Sequence, residues 1–373
     1  MILLLLFLLP PTELAAQHSG ETGEKINIGL LIPDSKSLAA REGASLAVRL
    51  ANERGGINGS HIFLIVRSME GPWGTGSKQA VSLIFEDHVV AILGSHDGRN
   101  AHLAEQASAK TRVVFLSAWS SDPTLAQAFV PWFFNCVPND IQQSETLAGE
   151  IFDRRKFTKV AVISGKDYDS ESTLKFLTDQ VKQAGKPGML LIKPDDYGRD
   201  MESVVERLKK SGADCIILLV QPPVSLKIME RLRKDNIHIP VYCSLAQLDE
   251  DKMGNSSSVK NYDATFVCPV DLTGKSVSAF RDAYLKEYGH MPGEVASFAF
   301  DGMNILIDGI RKGGTQYVDI MNAIKGSSCK GVTGLIRFDD KGNRMGKPEL
   351  AVIRNGIPVL RSVSGRVMEL SVH

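Results

Sequence analysis

The chain has 373 residues, more than one compact core takes and about right for two α/β domains. Hydrophobic residues make up 43% of it, and 43 Lys and Arg balance 43 Asp and Glu. A neutral chain without a basic run argues against nucleic acid, which calls for a cationic footprint, and against electrostatic docking to anionic lipid.

Residues 1–9 are nearly all apolar, Pro10 and Pro11 break the run, and Ala15-Ala16 supply small residues. That pattern predicts a signal peptide over 1–16 and an exported protein. The run is far shorter than the roughly 20 apolar residues of a spanning helix.

Beyond it, short apolar runs alternate with amphipathic stretches. Residues 26–32 read as a buried strand, and Ala44, Ala47, Val48 and Ala51 mark one helix face that Gly55-Gly56 ends. Strand 61–68, helix 78–86, strand 89–93, helix 101–109 and strand 113–116 follow. One helix between successive strands implies right-handed βαβ units and a parallel sheet. A second series repeats the pattern: helices 144–153, 172–183, 201–210 and 224–234 alternate with strands 159–163, 189–192, 214–220 and 240–243, and strand 264–267 comes after. Helices 277–288, 296–312 and 318–324 precede two closing strands, 333–338 and 349–353. No low-complexity linker separates the halves. The chain is therefore expected to cross between two lobes near Pro138, Pro269 and 345–348, with lobe one at 25–138 plus 271–346, lobe two at 139–270 plus 347–361, and a tail at 362–373.

The cysteines, Cys136, Cys215, Cys243, Cys268 and Cys329, are odd in number and lack metal-like spacing. Cys215, Cys243 and Cys268 sit in apolar, strand-like runs and read as buried small hydrophobes. One disulfide stays open if the compartment is oxidising.

Four segments carry a resemblance. They are Gly43-Ala44 through Gly55-Gly56-Ile57-Asn58-Gly59; Lys78-Gln79-Ala80-Val81 followed by Val90-Ala91-Ile92-Leu93-Gly94; Phe280, Tyr284, Tyr288-Gly289 and Pro292 with Phe300-Asp301-Gly302; and 331–339 with Gly342. In this order and spacing the chain resembles the periplasmic leucine/isoleucine/valine-binding-protein-like family, over about 25–360. The resemblance implies the type I periplasmic binding protein fold: α/β, two Rossmann-like lobes with parallel sheets joined by three crossovers. It also implies a periplasmic solute-binding component of an ABC transporter, and not an enzyme. Its partners would be a small-molecule ligand and an inner-membrane permease, or a membrane sensor protein if the module signals instead. A monomer is expected, with no cofactor and no metal. Tyr284 and Tyr288 share a helix face with Phe280 and are expected to pack.

Ligands of open parallel sheets bind outside the carboxyl ends of the strands. Two such ends stand out in the first half: Gly94-Ser95-His96-Asp97-Gly98, and Ser117-Ala118-Trp119-Ser120-Ser121-Asp122-Pro123. Pro123 suits a first helical position with Asp122 or Ser121 as cap, and helix N-termini favour an anion. The family implies that these loops hold the α-carboxylate of an amino acid, with Ser121 at the position of a donating Ser or Thr. The family's hydroxyl near Gly98 is missing, so the backbone N–H groups there would substitute. The family's ammonium-binding acid is missing too: its loop begins Ser244-Leu245-Ala246-Gln247, and Asp249 comes later. An amino acid, an amide and a small carboxylate all remain open as ligands. Tyr168 matches a family Tyr lining the cleft, and Gln221-Pro222-Pro223 offers a second wall. The expected ligand contacts are therefore Gly98, Trp119, Ser120, Ser121, Tyr168 and Gln221, with the loop around Trp73 as a cap. The alternatives are a capping role for the serines, packing for Trp119, and a Tyr168 hydroxyl bonded within its own lobe. His96-Asp97 lacks an accompanying nucleophile elbow, and His96 and His102 do not share a helix face, so neither catalysis nor metal binding is assigned.

Overall fold

The computed structural model describes residues 25–361 apart from 73, 128–129, 195–199, 254–262, 270, 273 and 355–356. The expected signal peptide, the tail over 362–373 and Trp73 lie outside the described residues.

The fold is α/β with two lobes. The first opens with β1 (Ile26–Ile32), α1 (Ala39–Glu53), β2 (Ile62–Ser68), α2 (Thr75–Phe85), β3 (Ala91–Gly94), α3 (Gly98–Thr111), β4 (Val114–Ser117), the short α4 (Thr124–Gln127) and β5 (Phe133–Asn135). These strands form one parallel sheet in the order β2-β1-β3-β4-β5. The second lobe follows with α5 (Asp140–Ala148), a π-helical stretch (Gly149–Arg154), β6 (Val160–Ser164), α6 (Tyr168–Gln183), β7 (Leu190–Ile192), α7 (Met201–Ser211), β8 (Cys215–Leu219), α8 (Pro222–Lys234), β9 (Val241–Cys243), the short α9 (Glu250–Met253) and β10 (Thr265–Val267). Then come α10 (Ser278–Tyr288), α11 (Glu294–Gly313), α12 (Tyr317–Lys325), β11 (Ser328–Gly331), β12 (Gly334–Arg337), β13 (Leu350–Arg354) and β14 (Ile357–Leu360). The second sheet has the order β14-β13-β10-β9-β8-β6-β7.

Central strands are continuous apolar runs because both faces are covered. Every residue of β3, β4 and β8 is buried. Helix α11 packs along α1 and onto β3 and β4, although it is made after the second lobe's parallel strands. Gly43 permits that approach: a Cβ there would sit 2.1 Å from the Ala296 carbonyl oxygen. Tyr284 is buried on α10 and donates its hydroxyl to Glu42, while Tyr288 donates to the Glu42 carbonyl at 3.0 Å.

The chain passes three times between the lobes, and the first and third passages are tied together. Gln142 Nε2 donates to the carbonyls of Arg344 (2.8 Å) and Gly346 (2.7 Å). The buried Arg344 guanidinium donates to the Cys136 carbonyl at 2.9 Å and to Thr333 Oγ1 at 3.0 Å.

Four details depart from the sequence reading. The second sheet is mixed, since β13 and β14 join it antiparallel. The closing strand expected at 333–338 pairs instead with β11 in a separate hairpin. Cys268 lies one residue past β10, not within a strand, although its N–H still bonds Glu349 O at 2.9 Å. All five thiols are free. Helices α3, α5 and α6 begin three or four residues earlier than expected, because side chains cap them: Asp97 accepts from Asn100 N, Asp167 from Ser170 N, and Asn139 forms a capping box with Gln142. These caps make Gly98 and Tyr168 the first residues of their helices.

Candidate functional site

The loops after β3 and β4 of the first sheet meet the start of α6, which follows β6 of the second. On the first lobe, Asp97 caps α3 and Gly98 starts it. The Gly98 N–H donates to Asp169 Oδ1 of the other lobe at 2.9 Å. A Cβ at Gly98 would meet Tyr168 Cε1 at 3.0 Å, so glycine allows the lobes to approach this closely.

After β4, Ser121 and Asp140 are bonded twice. Ser121 Oγ donates to Asp140 Oδ1 at 2.8 Å, and the Asp140 N–H donates to the Ser121 carbonyl at 2.8 Å. Asp140 is buried and also accepts from Ser172 and Thr173, each at 3.1 Å. Burial pushes its carboxyl up to about 7 in spite of these donors. Ser120 is buried, and its hydroxyl accepts the Asp122 N–H at 3.4 Å. Trp119 is half-buried and meets Phe298 edge-on, with 6.3 Å between ring centroids. Asp122, not Ser121, caps the short α4, accepting from Thr124 N at 2.8 Å and from Thr124 Oγ1 at 2.7 Å.

Asp122 is also a junction. Its Oδ2 accepts the Tyr168 hydroxyl at 2.7 Å and lies 3.0 Å from His102 Nε2. Burial alone would raise this carboxyl, but the bonds from His102, Thr124 and Tyr168 outweigh it and hold it down at about 2. The same Asp122 bond, with Glu105 adding to it, lifts His102 up to about 9. The Tyr168 hydroxyl thus bonds the opposite lobe, not its own.

On the second lobe, Gln221 precedes Pro222 at the start of α8 and donates Nε2 to Asp167 Oδ1 at 2.9 Å. Burial, with the like charge of Asp97 adding to it, pushes Asp169 up to about 7. Two further carboxylates reach the first lobe from α9. Glu250 accepts from Val295 N (2.9 Å) and Ala296 N (2.8 Å) at the start of α11. Asp251 accepts from Leu38 N and Ala39 N, both at 3.1 Å, at the start of α1. Each stands where a helix offers unpaired N–H groups and the positive end of its dipole.

Of the candidate residues, Gly98 and Tyr168 bond the opposite lobe and Ser121 bonds Asp140, whereas Trp119 packs on Phe298, Ser120 bonds Asp122 and Asn135, and Gln221 bonds Asp167. Sequence reading missed four carboxylates: Asp140 and Asp169, which meet Ser121 and Gly98, and Glu250 and Asp251, which meet the starts of α11 and α1. Acids flanking Tyr168 after a strand end and the run Asp249-Glu250-Asp251 were the available signals. Among the described residues no group of His, Cys, Asp and Glu is arranged to hold a metal, and no helix is long and apolar enough to cross a membrane.

Two α/β lobes whose strand-end loops meet, with three passages between them, define the two-lobed solute-binding class. The sequence profile described as periplasmic binding protein matches residues 25–354, and the chain belongs to that family. Its members bind solutes and are not enzymes. The chain is 27% identical over 203 residues to the Leu/Ile/Val-binding protein homolog 3 of Brucella melitensis, covering 51% of this chain and 53% of that protein. It is 23% identical over 199 residues to an amino acid binding protein of Pseudomonas aeruginosa, covering 52% of each. The chain spans about half the length of the curated relatives it matches. Solved structures share the fold over nearly their whole length. The branched-chain amino acid transporter substrate binding protein LivJ from Streptococcus pneumoniae, in complex with isoleucine, superposes with a TM-score of 0.79 at 19% identity, covering 90% of this chain and 98% of that one. A Rhodopseudomonas palustris solute binding protein in complex with benzoate gives 0.76 at 15% identity, covering 93% and 98%.

Proposed function

We propose that the protein captures a small polar solute in the interlobe cleft and delivers it, from the periplasm, to an ABC permease. Lobe one comprises 25–138 and 271–346, and lobe two comprises 139–270 and 347–361. The solute is held between Gly98, Trp119, Ser120 and Ser121 on the first and Tyr168 and Gln221 on the second. The observation that carries this reading is the pair of bonds joining the strand-end loops of opposite lobes, Tyr168 to Asp122 and Gly98 to Asp169. Such bonds form only when the lobes are together, so a ligand between them shifts an open–closed equilibrium. The test is a thermal-shift screen of amino acids, amides and small carboxylates, followed by X-ray scattering with and without the best hit. Ligand-dependent stabilisation with a fall in radius of gyration is expected. A bound solute that is chemically converted overturns the reading.

A further inference from the structure

Given the open–closed reading above, the contacts that hold the lobes together decide how readily they part. One set of them lies on α9, which packs on α8 of the second lobe. Its first two residues reach the first lobe. Glu250 accepts from Val295 N and Ala296 N where α11 begins, and Asp251 accepts from Leu38 N and Ala39 N where α1 begins. Those two helices lie along one another, with Gly43 against Ala296. Helix α9 thus grips the ends of one packed pair. Gly293 leaves the seat for Glu250: a Cβ there would meet the Glu250 carboxyl carbon at 2.6 Å and its oxygens at 2.8 and 2.9 Å.

The grip has a weakness built into it. Glu294, the first residue of α11, is 3% exposed and sets a like charge against Glu250. Two carboxylates so placed resist being ionised together. The groups around them are engaged elsewhere. Tyr284 of α10 faces Glu250 but gives its hydroxyl to Glu42 of α1, which also meets His290 Nε2 at 3.2 Å. Cys268, just past β10, offers its thiol to Glu294 Oε1 at 3.7 Å. Lys252, on α9 itself, pairs with Asp249 at 3.0 Å and feels Asp169 and Asp97 beyond it. We propose that α9 is a clasp whose closing takes up one proton, held between Glu250 and Glu294, so that the lobes latch at lower pH and part as pH rises. Burial raises Glu294 to about 7 and, with the like charge adding to it, holds Glu250 well above the usual carboxylate range. Parting the lobes takes Glu250 away from Glu294 and lets water in, so the closed form binds more protons than the open one. Its advantage is full below the ordinary carboxylate value of 4.5 and is lost as pH climbs through about 7. One proton changes the closed-to-open ratio by at most about ten-fold per pH unit.

X-ray scattering of the unliganded protein, from about pH 5 to about pH 9, reads the clasp. The radius of gyration is expected to grow as pH rises through about 7. Glu294→Gln keeps the bonds from Val295 and Ala296 and an acceptor for Cys268 but removes the like charge, so its opening is expected about one pH unit higher or more. Gly293→Ala keeps every charge and fills the seat of the Glu250 carboxyl, so its closed-to-open ratio is expected to fall about ten-fold even at the acid end. Asp169 also joins the lobes and is raised to about 7, so the decision rests on the variants. A Glu294→Gln midpoint equal to that of the wild type overturns the clasp, as does a Gly293→Ala protein as compact as the wild type. Should Gly293→Ala fail to fold, Glu294→Gln decides alone. If the clasp fails and the radius still falls on adding isoleucine or benzoate, capture in the cleft stands without it. If the radius answers to neither pH, variant nor any solute of the screen, the open–closed reading falls as well.

Discussion

The Tyr168 hydroxyl donates to Asp122 Oδ2 across the cleft at 2.7 Å, linking the first turn of α6 to the loop after β4. Tyr168→Phe removes this bond and keeps the ring. Hydrogen bonds to charged groups are worth about 1.5–3 kcal/mol, and the side chain's partial exposure brings the expected loss to about 1 kcal/mol. A double-mutant cycle with Asp122→Asn, read by urea unfolding, should show coupling of that order. Additive effects would mean that the two groups do not interact in solution.

His102 sits on the other side of the same carboxylate and is raised from 6.5 to about 9 by it, with Glu105 assisting. The folded state therefore favours the charged imidazole. The stability this gives is full below pH 6.5 and is lost as pH climbs through about 9. Melting temperatures of the wild type and of His102→Gln, taken across this range, should converge at the alkaline end. Parallel curves would refute the assignment.

Burial raises Asp140 and Asp169 as well, from 3.8 up to about 7, here by disfavouring the charged form. Between these values the folded state binds more protons than the unfolded one, so stability falls as pH rises through the window. Asp140→Asn keeps acceptors for Ser121 and Thr173 and should flatten this part of the profile. An unchanged slope in the variant would show that Asp140 does not titrate there.

Glu250 holds the N–H groups of Val295 and Ala296. Glu250→Ala leaves both without their partner and should cost about 1–3 kcal/mol in urea unfolding. Glu250→Gln keeps one acceptor for the two donors and removes the like charge facing Glu294, so it should lose less than Glu250→Ala. Equal losses in the two variants would place the effect in packing and not in the helix start.

Cys136, Cys215, Cys243 and Cys268 are buried, whereas Cys329 is partly exposed. Burial still pushes Cys329 up to about 11, so its thiolate is scarce at neutral pH. Labelling of the native protein should be slow everywhere and should reach Cys329 first. Early labelling of Cys215 or Cys243 would contradict the burial of β8 and β9.

The lobes were legible because buried parallel strands are unbroken apolar runs, and β1, β3, β4 and β8 read that way directly. Strand β5 has three residues, too few for a period, and β11 reads Ser-Cys-Lys-Gly with no apolar pattern. The loops of the site were legible from strand ends and helix starts. Their partners were not: Asp169 meets Gly98 across 71 sequence positions, and Glu250 meets Val295 across 45. Local pattern does not encode which carboxylate arrives at which helix end from the other lobe.

The place of α11 in the chain has a consequence for synthesis. The first sheet is complete at Asn135, but the helix that covers β3 and β4 begins at Glu294. A growing chain, emerging at about 5–20 residues per second, would hold one apolar sheet face uncovered for several seconds or more. During that interval the nascent protein depends on chaperone capture or on delayed collapse. Chains that stop before Glu294 would aggregate, however well their second lobe folds.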